Sequence, residues 1–208
     1  MAIAADFVRW GAAVALSALL GSASGCGRTA GVHGADGPAS GPTTTQADGG
    51  GPPSTGPATQ TFAEAKSGTR LTHPADWVVR PSTDFALRLS PAGVDPSDAA
   101  LTLDVPDLPA HVPGWIPIGL VRNGYADDVR EAHPGATVAD LPPPTVNGAN
   151  VRLVKAAWAD SRGPVSELTL VVVHGDHVVL LRGTARPPQA DAMRQTFDAV
   201  VRSLRWRD

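Results

Sequence analysis

The sequence predicts an α+β domain in which an antiparallel β-sheet carries helices on both faces, an α/β/α sandwich. Several short runs alternate apolar and polar residues with period two, and two longer segments repeat apolar residues at helical spacing. Two runs near the C-terminus, 168–173 and 178–181, are apolar almost without alternation. Because strands that are apolar on both sides must be covered on both faces of their sheet, helices are expected on two sides.

The first 25 residues are predicted to be a signal peptide. Gly11 to Leu20 is uncharged and mostly apolar, and the small residues 21–25 follow it directly before Cys26, the only cysteine of the chain. The apolar core is shorter than the roughly 20 residues that a spanning helix needs. Ala23-Ser24-Gly25-Cys26 resembles the bacterial lipobox, so we expect Cys26 to be lipidated. The protein would then be anchored at the extracytoplasmic face of the cell membrane.

Residues 26–60 are predicted to form a disordered tether. They are almost wholly Gly, Pro, Ser, Thr and Ala and have no apolar periodicity. A segment so poor in large apolar side chains cannot offset the entropy lost on ordering. Residues 61–208 then form a single domain at the end of the tether, a length that suits one hydrophobic core.

Within the domain, eight segments have β-strand patterns and β-strand composition. A turn at Gly175-Asp176 joins the last two as a hairpin of the primed type, in which glycine favours the first turn position. The predicted strands cover residues 69–72, 77–80, 85–90, 99–105, 137–141, 149–158, 165–173 and 177–183, the first two being separated by a Pro-containing turn.

Two helices are predicted, one in the middle of the domain and one at its end. The first covers residues 117–132, begins at Pro117 and ends before His133-Pro134-Gly135. The second follows Pro187-Pro188 and has an apolar stripe that ends at Leu204. The stripe is formed by Ala190, Met193, Phe197, Val200, Val201 and Leu204.

Several of these segments, taken in order, resemble a known family. They are Pro74-Ala-Asp-Trp77, the helix that ends at His133-Pro134-Gly135, Val146-Asn-Gly-Ala149 before a strand that ends at Trp158, the hairpin, and the final helix with Phe197 and Val201-x-Ser203-Leu204. Residues 62–206 resemble the LpqN-type lipoproteins of actinobacteria, within the wider PsbP-like and Mog-like group. The resemblance implies an α/β/α sandwich and a tethered, non-catalytic role in protein contacts or envelope lipid handling. It names no site residues.

Sequence motifs of catalysis and cofactor binding are not found. Nucleophile-elbow, P-loop, HExxH and dinucleotide fingerprints are absent, so we predict no catalytic residues, no cofactor and no enzymatic activity. The 17 basic and 20 acidic side chains give a net charge of −3 without a basic block, which argues against a nucleic-acid partner. His174 and His177 flank the hairpin turn on one face, but with Asp176 they make an incomplete metal site, so we interpret them as solvated residues.

The aromatic residues are interpreted as packing residues, with one exception. Trp115 lies in a Pro/Gly-rich loop without a strand to pack against, which marks it as a possible contact surface. The main hypothesis is therefore a membrane-anchored lipoprotein whose domain binds another envelope protein. A carrier of an apolar envelope lipid, held between sheet and helix, is the alternative, and an envelope hydrolase is the second alternative.

Overall fold

The computed structural model describes residues 58–107, 117–146 and 148–207. The predicted signal peptide, Cys26, nearly all of the predicted tether, and Trp115 lie outside this range. Among the described residues, no helix is both long enough and apolar enough to span a membrane.

The fold contains nine strands and two α-helices in the described ranges. Seven strands form one sheet in the order β3-β4-β5-β9-β8-β7-β6, and β1 and β2 form a separate two-stranded sheet; every pairing is antiparallel. The elements are β1 Thr59–Ala63, β2 Arg70–Pro74, β3 Trp77–Val79, β4 Leu87–Pro91, β5 Ala99–Asp104, α1 Ile118–Ala132, β6 Thr137–Leu141, β7 Asn150–Asp160, β8 Gly163–His174, β9 His177–Ala185, a 3-10 turn Pro187–Gln189, and α2 Ala190–Ser203.

The large sheet is covered on both faces, as the sequence predicts. Leu170 and Val172 of β8 belong to the apolar core that includes α2, whereas Val171 between them belongs to the core that includes α1. Successive side chains of a strand point to opposite faces, so the two helices lie on opposite sides of the sheet. The predicted mixed α+β sandwich is therefore confirmed.

Each helix follows its apolar stripe. The buried residues of α1 are Ile118, Tyr125, Ala126 and Val129, and those of α2 are Met193, Phe197, Val200 and Val201. Helix α2 lies close to the sheet at Gly183, because a Cβ added there would be 2.9 Å from Phe197 Cδ2 and 3.2 Å from Met193 Sδ. A strand glycine at such a point allows close approach of the helix.

The small β1–β2 sheet packs on the α2 side of the molecule. Leu71 of β2 is buried in the α2 core, and the Thr72 backbone N–H donates a hydrogen bond to Ser203 Oγ at 2.8 Å. Arg70 and Arg205 exchange two backbone hydrogen bonds of 2.8 and 2.9 Å. The segment after α2 is thus joined to β2 as a further bridge.

The structure adds to the sequence prediction at two places. Strand β1 begins at Thr59 and so includes the last two residues of the segment predicted as tether. The Pro-containing turn predicted after residue 72 would put His73 in a loop, but His73 is buried within β2 at 3 % exposure, so that expectation is wrong. The cause is that Pro74 is the last residue of a strand in a two-stranded sheet, an edge position where a missing N–H is tolerated.

The β8–β9 hairpin has the predicted turn. His174 pairs with His177, which leaves Gly175 and Asp176 as the two turn residues, and Gly175 has φ +59°. A positive φ at the first position is what the primed turn requires, and glycine adopts it without a Cβ clash. This part of the prediction is confirmed.

Candidate ligand-binding site

A band of polar side chains crosses the face of the large sheet on which α1 packs. Arg88 of β4 pairs with Thr102 of β5, Thr102 pairs with Arg182 of β9, and Arg182 pairs with Thr169 of β8. Directly opposite residues in an antiparallel sheet share a face, so these side chains form one row. A second pair, Thr184 and Glu167, lies beside the row, two residues further along β9. We call these six residues the polar strip: Arg88, Thr102, Thr169, Arg182, Thr184 and Glu167.

The carboxylate of Glu167 is surrounded by hydroxyl groups. Tyr125 of α1 donates a hydrogen bond to Oε1 at 2.7 Å, and Thr184 donates one to Oε2 at 2.7 Å. Thr169 Oγ1 lies 3.2 Å from Oε1 and 3.0 Å from the Tyr125 hydroxyl, so its single proton serves one of these two acceptors. Hydroxyls from α1, β8 and β9 therefore hold Glu167 in one position.

The network keeps the Tyr125 phenol protonated. Burial raises the pKa of Tyr125 well above its usual value, and the negative charge of Glu167 raises it further. Tyr125 is 6 % exposed, and Thr169 is fully buried. Because the phenol remains a hydrogen-bond donor, this cluster can position neighbouring groups but is not arranged to transfer the tyrosine proton.

Arg182 lies between the hydroxyl cluster and two acidic side chains. Its guanidinium carbon is 5.9 Å from the centroid of the Tyr125 ring, within cation–π range, and its Nη2 is 3.6 Å from Asp104 Oδ2. Burial raises the pKa of Asp104, and the positive charge of Arg182 offsets part of that effect. Burial also raises the pKa of Asp128, to about 6, with Arg182 again acting in the opposite direction. Arg182 therefore compensates charge for two carboxyls while holding neither in a short hydrogen bond.

The two arginines of the strip have hydrogen-bonding capacity left over. The Nε atoms of Arg88 and Arg182 are buried and have no hydrogen-bond partner. Within the described part of the chain, Arg88 forms neither a hydrogen bond nor an ion pair through its guanidinium, and the Thr102 hydroxyl between the two arginines has no partner either. A buried donor without a partner costs roughly 1–3 kcal/mol, so such groups indicate a place for a ligand or for water.

A second group of charges, at the end of β9, is held together by ion pairs, although the buried Nε of Arg186 also lacks a hydrogen bond. Arg186 Nη2 lies 2.7 Å from Asp160 Oδ2, and Arg186 Nε lies 3.3 Å from Asp98 Oδ1. Arg162 Nη2 is 2.6 Å from the same Asp98 oxygen. These pairs join the β7–β8 turn to the start of β5, and they explain Arg162 and Arg186 as structural residues without a ligand.

The residues that the sequence singled out lie elsewhere. His174 stacks on Trp206 with ring centroids 4.7 Å apart, and His177 Nε2 lies 3.3 Å from Asp176 Oδ1. No group of three His, Cys, Asp or Glu side chains suited to a metal occurs in residues 58–107, 117–146 and 148–207. The interpretation of aromatic side chains as packing residues is confirmed for those that lie in or against the two apolar clusters, among them Trp77, Tyr125, Trp158, Phe197 and Trp206.

A pocket lies on the opposite face, beside the N-terminal turn of α2. Its volume is about 130 Å³, which is below the roughly 300–1,000 Å³ of typical ligand pockets. The residues around it include Lys155, Ser166, Leu168, Gly183, Met193 and Arg194. This pocket does not have the room that a carrier of an apolar envelope lipid requires.

Sequence reasoning missed the polar strip, although a signal for it was present. Glu167 and Thr169, like Arg182 and Thr184, stand two residues apart in strands whose neighbouring residues are largely apolar on both faces. Polar residues at spacing two in such a strand share one face, and a buried face requires a partner for each. The pattern predicts which polar residues of one strand share a face, but only the register of the strands shows which residues of neighbouring strands lie side by side.

Comparisons with known proteins give the fold and little more. No protein family and no curated protein sequence matches the chain. The solution structure of PsbP from the cyanobacterium Synechocystis sp. PCC 6803 covers 76 % of this chain and 98 % of its own, at 14 % identity and a TM-score of 0.54. LpqN of Mycobacterium tuberculosis, described as involved in cell envelope biogenesis, covers 70 % and 90 %, at 14 % identity and a TM-score of 0.47. The similarity to cyanobacterial PsbP shows that the chain has a PsbP-like fold.

Proposed function

We propose that the protein is a lipid-anchored, non-catalytic binding module of the bacterial cell envelope. The observation that carries the proposal is the N-terminal layout, in which an apolar core and a run of small residues precede the only cysteine, Cys26. Two or three acyl chains on this cysteine would make attachment to the membrane effectively permanent. The Gly/Pro-rich segment after it would act as a flexible spacer between the membrane and the domain.

The polar strip supports a binding role over a catalytic one. Glu167, a potential acid or base, already accepts hydrogen bonds from hydroxyls on both of its oxygens. A general base needs an oxygen free to approach a substrate proton, whereas a recognition surface needs side chains held in fixed positions. The hydroxyl cluster meets the second requirement. The domain would thus present preformed side chains to a partner in the envelope.

Membrane fractionation tests the anchor. We expect the full-length protein in the membrane fraction of the expressing bacterium, with mass spectrometry showing acyl chains on an N-terminal Cys26. Cys26→Ser should move the protein to the soluble or secreted fraction. Ser24→Ala, which keeps a small residue before the cysteine, is the matched control and should stay in the membrane. A mature N-terminus at another residue would contradict the proposal.

Site-specific crosslinking tests the binding module. A photo-reactive amino acid in place of Arg88 should form a reproducible crosslinked product in intact cells because the strip would face the partner. The same amino acid in place of Arg202, exposed on the outer side of α2, is the control and should give no such product. Equal crosslinking at both positions, or none at either, would argue against a binding role for this face.

A further inference from the structure

We propose that the polar strip binds a phosphate group, held between Arg88 and Arg182 with Thr102 beneath it. The inference rests on the proposed binding function and names the ligand chemistry for that site. It starts from the unused donors of the strip: the buried Nε atoms of Arg88 and Arg182, and the Thr102 hydroxyl. All three residues lie on the same face of three adjacent strands.

The spacing suits one anion shared by two guanidinium groups. Neighbouring strands lie about 4.8 Å apart, so Arg88 and Arg182, separated by β5, have Cα atoms on the order of 10 Å apart. An arginine side chain reaches several ångströms from its Cα and presents its donors in a planar fork. Both forks can therefore converge over Thr102. An anion in that position would contact donors from β4, β5 and β9.

The number of donors favours phosphate over carboxylate. A carboxylate has two oxygens, which one arginine can occupy in a bidentate pair. Two arginines and a hydroxyl supply donors in at least three directions, and a tetrahedral phosphate has enough oxygens to accept from all of them. A carboxylate would therefore leave one of the two guanidinium groups without an acceptor. The strip is thus better matched to a phosphate.

The carboxyls near the strip do not occupy these donors. Glu167 accepts from Tyr125 and Thr184, and the Thr169 hydroxyl lies 3.2 Å from its Oε1. Asp104 stands 3.6 Å from Arg182, longer than a charged hydrogen bond, and no carboxylate of the described residues forms an ion pair with Arg88. Arg186, whose Nε also lacks a hydrogen bond, differs from Arg88 and Arg182 because its guanidinium forms ion pairs of 2.7 and 3.3 Å with two aspartates.

A further arginine borders the strip but is already in use. Arg80 Nε donates to Ser90 Oγ at 3.0 Å, and Ser90 is fully buried in β4. Arg80 adds positive charge near Arg88 without competing for the same acceptor. Its positive charge would add to the attraction of an anion, because charges closer than about one Debye length, roughly 8 Å at physiological salt, are only partly screened.

Two experiments distinguish free phosphate from the phosphate of a lipid headgroup. The full-length protein, labelled with nitrogen-15 in non-ionic detergent micelles, is titrated with inorganic phosphate in one arm. In the other arm, phosphatidylglycerol or phosphatidylcholine is added to the micelles at equal mole fraction. The readout is the Nε–Hε cross-peak of each arginine, because these are the atoms proposed to gain a partner.

The expected result is a saturable shift of the Arg88 and Arg182 cross-peaks. A shift with inorganic phosphate identifies a free phosphate site, and a shift with phosphatidylglycerol but not with phosphatidylcholine or phosphate identifies a lipid headgroup. Arg88→Gln should weaken binding at least tenfold and should fold normally, since Arg88 has no bond to lose within the described chain. Arg202→Gln removes the same charge from the outer side of α2 and should change affinity less than twofold.

Two outcomes would overturn the proposal. One is the absence of any shift in both arms while the protein remains folded. The other is binding that Arg88→Gln and Arg202→Gln weaken equally, which would mean a general charge effect. Either result would leave the membrane anchor and the crosslinking tests intact, so loss of the phosphate site is distinguishable from loss of the proposed function.

Discussion

Removing the Tyr125 hydroxyl is the sharpest test of the polar strip as a preorganised unit. Tyr125→Phe keeps the ring that packs between α1 and the sheet but deletes the hydroxyl donor that lies 2.7 Å from Glu167 Oε1. A hydrogen bond to a charged group contributes about 1.5–3 kcal/mol. Thr169 lies 3.2 Å from the same oxygen and can take over part of the role. We therefore expect the free energy of unfolding to fall by about 2 kcal/mol.

A double-mutant cycle with Glu167→Gln separates the hydrogen bond from other effects. The glutamine keeps the shape of Glu167 but has one acceptor oxygen in place of two, so the Tyr125 and Thr184 donors cannot both be satisfied. We expect each single variant to be destabilised, and the double variant to lose less than the sum of the two by roughly 1 kcal/mol. Urea unfolding followed by tryptophan fluorescence at neutral pH gives all four free energies.

The control for this cycle is Thr83→Val. The Thr83 hydroxyl is exposed and hydrogen-bonded to an exposed Asp84, so its loss should change stability by less than about 0.5 kcal/mol. The proposed role of the Tyr125–Glu167 hydrogen bond is refuted if Tyr125→Phe lowers the free energy of unfolding no more than Thr83→Val does. It is also refuted if the effects of Tyr125→Phe and Glu167→Gln are additive within error. The hydroxyls would then surround Glu167 without holding it.

Two further predictions concern packing and pH. Gly183→Ala should destabilise the fold by about 1–3 kcal/mol, because the added Cβ would lie 2.9 Å from Phe197, which must shift. Gly124→Ala, in α1 with open space around it, should stabilise the fold by up to about 1 kcal/mol. Thermal unfolding of both variants checks that the two effects have opposite signs. The pKa of Asp128 rises from 3.8 to about 6 in the fold. Between these values the folded state holds a proton that the unfolded state has lost, so stability falls as pH rises through that window. Asp128→Asn should therefore be more stable than the natural chain at pH 7.5 and lose that advantage at pH 4, as measured by urea unfolding; a less stable variant at pH 7.5 would contradict this sign.

Apolar periodicity was sufficient to predict most of the fold. The stripe Met193, Phe197, Val200 and Val201 marked α2, and the unalternating run of β8 required cover on both faces. These predictions hold because burial of large apolar side chains dominates the energetics, and its spacing is written directly in the chain. Strand β1 was not predicted, since Thr59-Gln-Thr-Phe-Ala63 has one large apolar residue and owes its place to pairing with β2.

The candidate site could not be predicted in the same way. Its residues come from β4, β5, β8 and β9, and positions 88 and 182 are far apart in the chain. Each polar residue alone reads as an ordinary surface position of a half-buried strand. They become a site only when the register places Arg88, Thr102 and Arg182 in one row.

The position of the strip follows from how the helices divide the sheet. Helix α1 packs mainly over β6, β7 and β8, where the facing residues include Val154, Ala156 and Val171. The hydroxyl cluster lies at the edge of that contact, where Thr169 meets Tyr125. The row then continues with Arg182 on β9, Thr102 on β5 and Arg88 on β4. A long cationic side chain can cover sheet surface with its methylene stem while keeping its charged end available. The same face of the sheet can therefore pack against α1 through apolar side chains at β6, β7 and β8 and present a cationic surface that extends to β4. The two regions use different strands, so the arginines do not disturb the packing of α1.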